Sequence, residues 1–258
     1  MHITETPNDV LTTKPFDNQH QGSKQLHPDL LQPPFTLLLV GPKGSGKSNV
    51  ILRLIYGNSK KRGCTTDNKH YKYYRHFFDK IYVFSPTWAL DPKMQRCKIP
   101  DEQIFEDEDD YEEVLQTIVE GQMEDIKEDG KDEADHVLLI FSDLAGTKMF
   151  SNNRSILNKI AFNHRHLKVS SIVDSQSLRQ INSSFRSNLS GIMLFAGITN
   201  RLEIKKVQDE FLGKYTEKEG REILQYTFKD DPYAFLYINF QKRGKLYKKF
   251  NELTIHAT

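Results

Sequence analysis

The sequence predicts an α/β domain built on a mostly parallel central sheet covered by helices, and three observations carry that expectation. Short apolar runs recur at Phe35–Val40, Lys80–Ser85, Val137–Phe141, Val169–Val173 and Gly191–Phe195. Segments of helical length separate them, the spacing of strand–helix–strand units whose sheets are buried on both faces. The 258 residues, 37% hydrophobic and 28% charged, suffice for one sizeable core but not for several domains.

Residues 1–30 are polar, aperiodic and rich in His, Gln, Asn and Pro. They read as a flexible arm, with the ordered domain, 31–258, beginning near Pro33-Pro34. The first strand runs into Gly41-Pro42-Lys43-Gly44-Ser45-Gly46-Lys47-Ser48, a complete G-x-x-x-x-G-K-S/T phosphate-binding loop, and a helix follows from near Asn49 to Tyr56. The flanks matter, because a strand must deliver the loop and a helix N-terminus must aim its free N–H groups at the anion. Residues 41–49 are therefore the expected nucleotide cradle. The glycines let the backbone wrap the β-phosphate, Lys47 reaches the β- and γ-phosphate oxygens, and the Ser48 hydroxyl joins a Mg²⁺ shell.

Past Gly57-Asn58-Ser59, the segment Lys69–His76 interleaves aromatic and basic side chains. That mixture suits base stacking with phosphate neutralisation, or equally an amphipathic element whose tyrosines pack inward. After the second strand the charge becomes segregated. Residues 101–135 carry 17 acidic side chains against Lys127 and Lys131, a net of −15, which leaves the other 223 residues at +16. A basic surface outside this insert suits a polyanionic partner. Within the insert, Val114, Leu115 and Ile118 are spaced for one short helix over Tyr111–Val119, and residues 128–134 read as loop.

The strand Val137–Phe141 ends at Ser142-Asp143, where a Walker B element carries an acidic pair. Ser142 occupies the place of the Mg²⁺-associated carboxylate and Asp143 that of the water-activating acid. Either Ser142 reaches a metal-bound water as a neutral acceptor, or Asp143 does the metal work alone with Asp174 as helper. The strand Val169–Val173 leads to Ser175-Gln176, and Gln176 at its tip is expected to sense the γ-phosphate and position water. Arg165 and Arg186 are the two candidates for an arginine offered to a neighbouring subunit's nucleotide. Asn200–Phe211 reads as a helix, Tyr233–Asn239 as a strand, and residues 240–258 as a turn and a basic tail.

Cys64 and Cys97 are too few for a disulfide framework and have no zinc-like spacing. No run approaches the roughly 20 apolar residues of a membrane helix, and residues 1–30 hold no signal-peptide core, so a soluble intracellular protein is expected.

The ordered series Gly41–Ser48, Ile81–Thr87, Leu138–Asp143, Arg165-His166, Ser175–Ser177 and Arg186–Asn188 resembles the poxvirus-type genome-packaging ATPases of large DNA viruses and virophages, a branch of the FtsK/HerA group. The likeness runs from about Leu26 to Phe211. It implies a P-loop NTPase of ASCE type, with an extra strand between the two Walker strands. It also implies ATP and Mg²⁺ as cofactors and a homo-oligomeric ring, pentamer or hexamer, that pumps double-stranded DNA into a capsid through a capsid or portal partner. Host-cell cytoplasm, viral factory or virion is the implied location. Arg165 becomes the leading trans finger and Arg186 the second choice, and Ser142 is the departure from the family pattern.

Three rivals share the phosphate loop. A small GTPase would explain Asp143-Leu144-Ala145-Gly146 as a D-x-x-G element, but no Asn-Lys-x-Asp sequence follows downstream. A small-molecule or nucleotide kinase needs a lid of arginines, for which the acidic insert is a poor substitute. A nucleotide-gated DNA-binding or scaffold protein with weak turnover is what Ser142 favours. The insert itself is expected to dock on a basic partner or to mimic DNA, with deletion of residues 107–132 as its test.

Overall fold

A computed structural model describes residues 2–6, 25–56, 71–94, 97–144, 147–152 and 155–256. In chain order the strands are β1 (His2–Thr6), β2 (Gln25–Leu26), β3 (Thr36–Val40), β4 (Tyr71–Lys72), β5 (Lys80–Phe84), β6 (Ile104–Phe105), β7 (Val137–Phe141), β8 (Val169–Ser175), β9 (Gly191–Phe195), β10 (Phe235–Asn239), β11 (Lys245–Lys248) and β12 (Asn251–His256). The helices are α1 (Lys47–Tyr56), α2 (Tyr111–Asp129), α3 (Lys148–Ser151), α4 (Ile156–Leu167), α5 (Ser183–Ser187), α6 (Arg201–Phe211) and α7 (Glu217–Phe228).

Ten strands form one sheet in the order β1-β12-β11-β10-β9-β3-β8-β7-β5-β6. From β9 to β6 every pairing is parallel, and β3, β7, β8 and β9 are buried along their whole lengths, β3, β7 and β9 with nearly continuous apolar sequences and β8 with Ser170, Ser171, Asp174 and Ser175 buried as well. The strand β8 stands between β3 and β7, which is the expected insertion between the two Walker strands. Side-chain alternation along β3 sends Leu38 and Val40 to one face and Leu37 and Leu39 to the other. On the first face α2, α4, α6 and α7 cover the sheet, and on the second α1 packs with Tyr73, Tyr74, Phe78 and Trp88.

Several segments differ from the sequence reading. The flexible arm proposed for residues 1–30 is anchored where it is described: β1 pairs antiparallel with β12, and Leu30 is buried. Composition hides this, because the ladder bonds come from backbone groups and His-Ile-Thr-Glu-Thr carries little apolar signal. Residues 7–24 lie outside the described residues. Asp29 pins the entry to the domain, accepting from the hydroxyl of Tyr247 at 3.1 Å and pairing with Lys242 at 3.0 Å, while its carbonyl accepts from the hydroxyl of Tyr237 at 3.0 Å. The basic tail is likewise sheet, since β11 and β12 extend the β10 edge antiparallel.

Tyr73 and Tyr74 are both buried, and the Tyr74 hydroxyl donates to the Leu31 carbonyl at 2.9 Å. Those two rings are core rather than a base-stacking face, while Lys69 and His70 lie outside the described residues. The acidic insert is a 19-residue helix through Asp129, closed at Gly130 with φ of 88°, instead of a short helix and a loop. Tyr111, Leu115, Val119 and Gln122 face inward, and the acids lie outside that buried stripe. Excising residues 107–132 would open the hydrophobic core, so that deletion cannot report on DNA mimicry. The helix α7 is an addition to the elements read from sequence, and its capping box, Thr216 with Glu219, is the local signal for it. Among the described residues no helix is long and apolar enough to cross a membrane.

Candidate nucleotide site and its strand-end acids

The phosphate loop leaves β3 at Gly41 and enters α1 at Lys47. Gly44 and Gly46 have φ of 80° and 101°, a left-handed backbone that side chains disfavour. Gly41 is required for a different reason, because a Cβ there would stand 2.5 Å from Cβ of Phe195 on β9. The loop is tied to the neighbouring strand end, with Gly41 N–H donating to the Ser175 carbonyl at 3.1 Å.

Lys47 Nζ donates to the carbonyls of Gly41 at 2.7 Å and Pro42 at 3.2 Å, so the ammonium lies across the loop it serves. Burial lowers its pKa, opposed by the charges of Asp174 and Asp143. Ser45 Oγ is buried with no hydrogen-bond partner. An orphaned hydroxyl, a buried ammonium and two left-handed glycines at a helix N-terminus are complementary to a polyphosphate.

At the end of β7, Ser142 is buried and donates its hydroxyl to Asp174 Oδ2 at 2.7 Å. Asp143 N–H donates to Asp174 Oδ1 at 3.2 Å. Asp174, on β8 and 4% exposed, thus accepts from two groups of the strand end beside it. Burial raises its pKa, against the Ser142 hydroxyl, the Lys47 ammonium and the Asp143 N–H, all of which favour the ionised form. A carboxylate at position 142 would abut Asp174 in a buried place, where like charges disfavour each other. The serine is therefore the complement of an acid carried one strand over. Asp143 has φ of 58° and an exposed side chain, held by the Thr87 hydroxyl at 2.8 Å.

The oxygen-rich set of Ser48, Ser142, Asp143 and Asp174 fits Mg²⁺, which takes one or two carboxylates and completes its shell with water and phosphate oxygens. No group of three His, Cys, Asp or Glu among the described residues could hold a metal without such help. Gln176 is exposed at the tip of β8, beside the β3 end that bears the loop.

The two arginines part company. Arg186 is buried, bidentate to Glu210 on α6 at 2.7 and 2.8 Å, and its Nη1 donates to the carbonyls of Leu178 and Ile181. Its guanidinium is consumed within its own subunit, which corrects its candidacy as a trans finger: α6 supplies an anion that the sequence gives no means of pairing with it. The pair holds the turn after Gln176, whose Leu178 N–H also donates to Glu203 of α6. Arg186→Ala should cost about 3 kcal/mol, the scale for stranding one partner of a buried pair. Urea unfolding should show a lower midpoint at unchanged slope.

Arg165 is exposed at the end of α4, in a groove of about 320 Å³ shared with Ser187, Asn188 and Ser190. Ser190 N–H donates to the Thr36 carbonyl, so this groove lies at the opposite end of β3 from Gly41. Five residues of strand, roughly 15 Å, put the subunit's own loop beyond Arg165. Arg165 therefore does not reach the phosphate loop of its own subunit.

The family model described as Poxvirus A32 protein matches residues 23–208. A search of curated proteins finds no match. Among solved structures, the genome-packaging NTPase B204 of Sulfolobus turreted icosahedral virus 2, in complex with ATPγS, is similar with a TM-score of 0.54 at 16% identity, over 84% of this chain and 98% of that one. The DNA-packaging ATPase B204 of Sulfolobus turreted icosahedral virus is similar with a TM-score of 0.54 at 15% identity, over 87% of this chain and 100% of that one. At such identities the likeness concerns the fold.

Proposed function

The chain belongs to the poxvirus A32 protein family, the viral genome-packaging ATPases, and we propose that it works as a ring of five or six copies that drives double-stranded DNA into a preformed capsid. The observation that carries this reading is the convergence of the phosphate loop with Asp174, Asp143 and Gln176 at the C-terminal ends of β3, β8 and β7, while Arg165 stands at the opposite strand ends. A site divided in that way is completed by a second copy.

In this reading Lys47 leaves the Gly41 and Pro42 carbonyls for β- and γ-phosphate oxygens, and Ser45 finds its missing partner there. Asp143, exposed and held by the Thr87 hydroxyl, orients the attacking water and accepts its proton. Asp174 and Ser48 hold the Mg²⁺ shell, with Ser142 keeping Asp174 aligned. Mg²⁺, when bound, neutralises charge on the β- and γ-phosphate oxygens. Gln176 senses the γ-phosphate, and the turn behind it, pinned to α6 by Glu203 and Arg186, gives that event a mechanical outlet. Arg165 of the next copy stabilises charge on the transferred group. Basic surface toward the channel would hold DNA by its phosphates, without reading sequence. A capsid or portal component is the expected docking partner, and the host cytoplasm or viral factory the place of work.

Two measurements test this reading. ATP hydrolysis should be stimulated by linear double-stranded DNA and the stimulation should fade as salt rises. Nucleotide binding without turnover, whatever the DNA, would sink the motor and favour a nucleotide-gated scaffold. Arg165→Ala and Lys47→Ala proteins, each inactive alone, should regain part of the activity when mixed, since some interfaces then pair an intact loop with an intact arginine. No recovery on mixing would remove Arg165 from the reaction.

A further inference from the structure

We propose that Tyr233 is the stacking platform for the purine base of the bound nucleotide. This assignment rests on the reading of Gly41–Ser48 as an ATP site and adds the end of the ligand that the loop does not touch.

Tyr233 is 61% exposed, an unusual state for a large aromatic ring on a well-fastened turn. It stands directly beside the loop, because a Cβ placed at Gly46 would lie 3.7 Å from Tyr233 Cδ1. The turn that carries it is fixed from several sides. Asp230 has φ of 60°, Asp231 pairs with Lys249 at 2.6 Å, and Tyr233 N–H donates to Asp231 Oδ1 at 2.9 Å. Ala196 N–H donates to the Ala234 carbonyl at 2.8 Å, which stitches the turn to the end of β9. Gly197, one residue on, passes so close to Pro42 that a Cβ there would stand 2.9 Å from its Cγ. The wall from Pro42 through Gly197 to Tyr233 is therefore close-fitting, and only the ring's outer surface is left free.

Direction decides what that surface is for. Asp174, Ser142, Asp143 and Gln176 all lie on the β8 and β7 side of β3, and they are the groups that face a terminal phosphate. A nucleotide whose γ-phosphate points there carries its nucleoside toward the opposite side, where β9 and β10 place Tyr233. Stacking needs only a π-face, so this ring favours a base over no base without separating adenine from guanine.

Equilibrium binding of ATP and of inorganic tripolyphosphate, by calorimetry, tests the assignment with four proteins. Tyr233→Ala should weaken ATP roughly tenfold, the scale of one lost stacking contact, and leave tripolyphosphate affinity unchanged. Tyr233→Phe should bind ATP as the unmodified protein does. Lys47→Ala should weaken both ligands. Unchanged ATP affinity in Tyr233→Ala, or an equal loss for tripolyphosphate, would overturn the platform while leaving the phosphate site standing. Unchanged ATP affinity in Lys47→Ala would instead overturn the phosphate site, and the platform with it. Because the ring is mostly exposed, the variants should melt with the unmodified protein, and a shared melting temperature checks that.

Discussion

Lys47→Ala should lower ATP turnover by about 10³-fold or more while the protein stays folded. The expectation comes from where the ammonium is and what it touches. Lys47 Nζ lies on the carbonyls of Gly41 and Pro42, at the centre of the loop, and its charge is felt by Asp174 and Asp143. In the transition state it would stand against oxygens gaining negative charge, in a place where burial already strips it of water. Its loss from the folded state is small by comparison. The apolar contacts of α1 are made by Val50, Ile51, Leu54 and Ile55, and removing a partly desolvated cation also removes its desolvation cost. Steady-state hydrolysis beside thermal melting separates the two effects. Retained turnover would show that another cation serves the phosphates, and a collapsed melting curve would show that the lysine holds the loop itself.

Asp174→Asn should be nearly as damaging to turnover, by about 10²- to 10³-fold, although the residue lies outside both Walker motifs. Its two carboxylate oxygens accept from Ser142 Oγ and Asp143 N, and an amide of the same shape can keep both contacts, accepting from Asp143 N–H and donating to the Ser142 hydroxyl, which turns to accept. What the substitution removes is therefore the negative charge for Mg²⁺, with the strand-end geometry kept. Asp174→Ala leaves both donors unsatisfied in a buried place and should cost a further 1 to 3 kcal/mol or so of stability. Nucleotide binding measured without divalent cation should be retained in Asp174→Asn, since the loop does not depend on it. Wild-type turnover in Asp174→Asn would return the metal role to Asp143 alone. Ser142→Ala should lose much less than either, because the hydroxyl aligns the carboxylate without supplying charge.

Much of this protein is legible in its residues because the relevant forces are local or periodic. The strands β3, β7 and β9 are nearly continuous apolar runs, and the phosphate loop is a contiguous motif whose glycines are needed by the backbone that contains them. Arg186 and Ser142 show where that legibility stops. Each looks in sequence like a functional residue present or missing, and each is explained by a partner that is distant along the chain, Glu210 on α6 and Asp174 on β8. Pairing of buried charges and hydroxyls is a property of the packed sheet, and no spacing rule foretells it. The same holds for β1 and β12, which meet from opposite ends of the described chain through backbone hydrogen bonds that every residue type can make. Tyr233 is the extreme case, a single aromatic in a turn with no motif around it, brought to the edge of the phosphate loop by the antiparallel pairing of β10 with β9. The chemistry of the triphosphate end is thus written in consecutive residues, whereas the acid that supports it and the ring beside it are joined only when the sheet closes and burial makes each unpaired polar group too costly to leave.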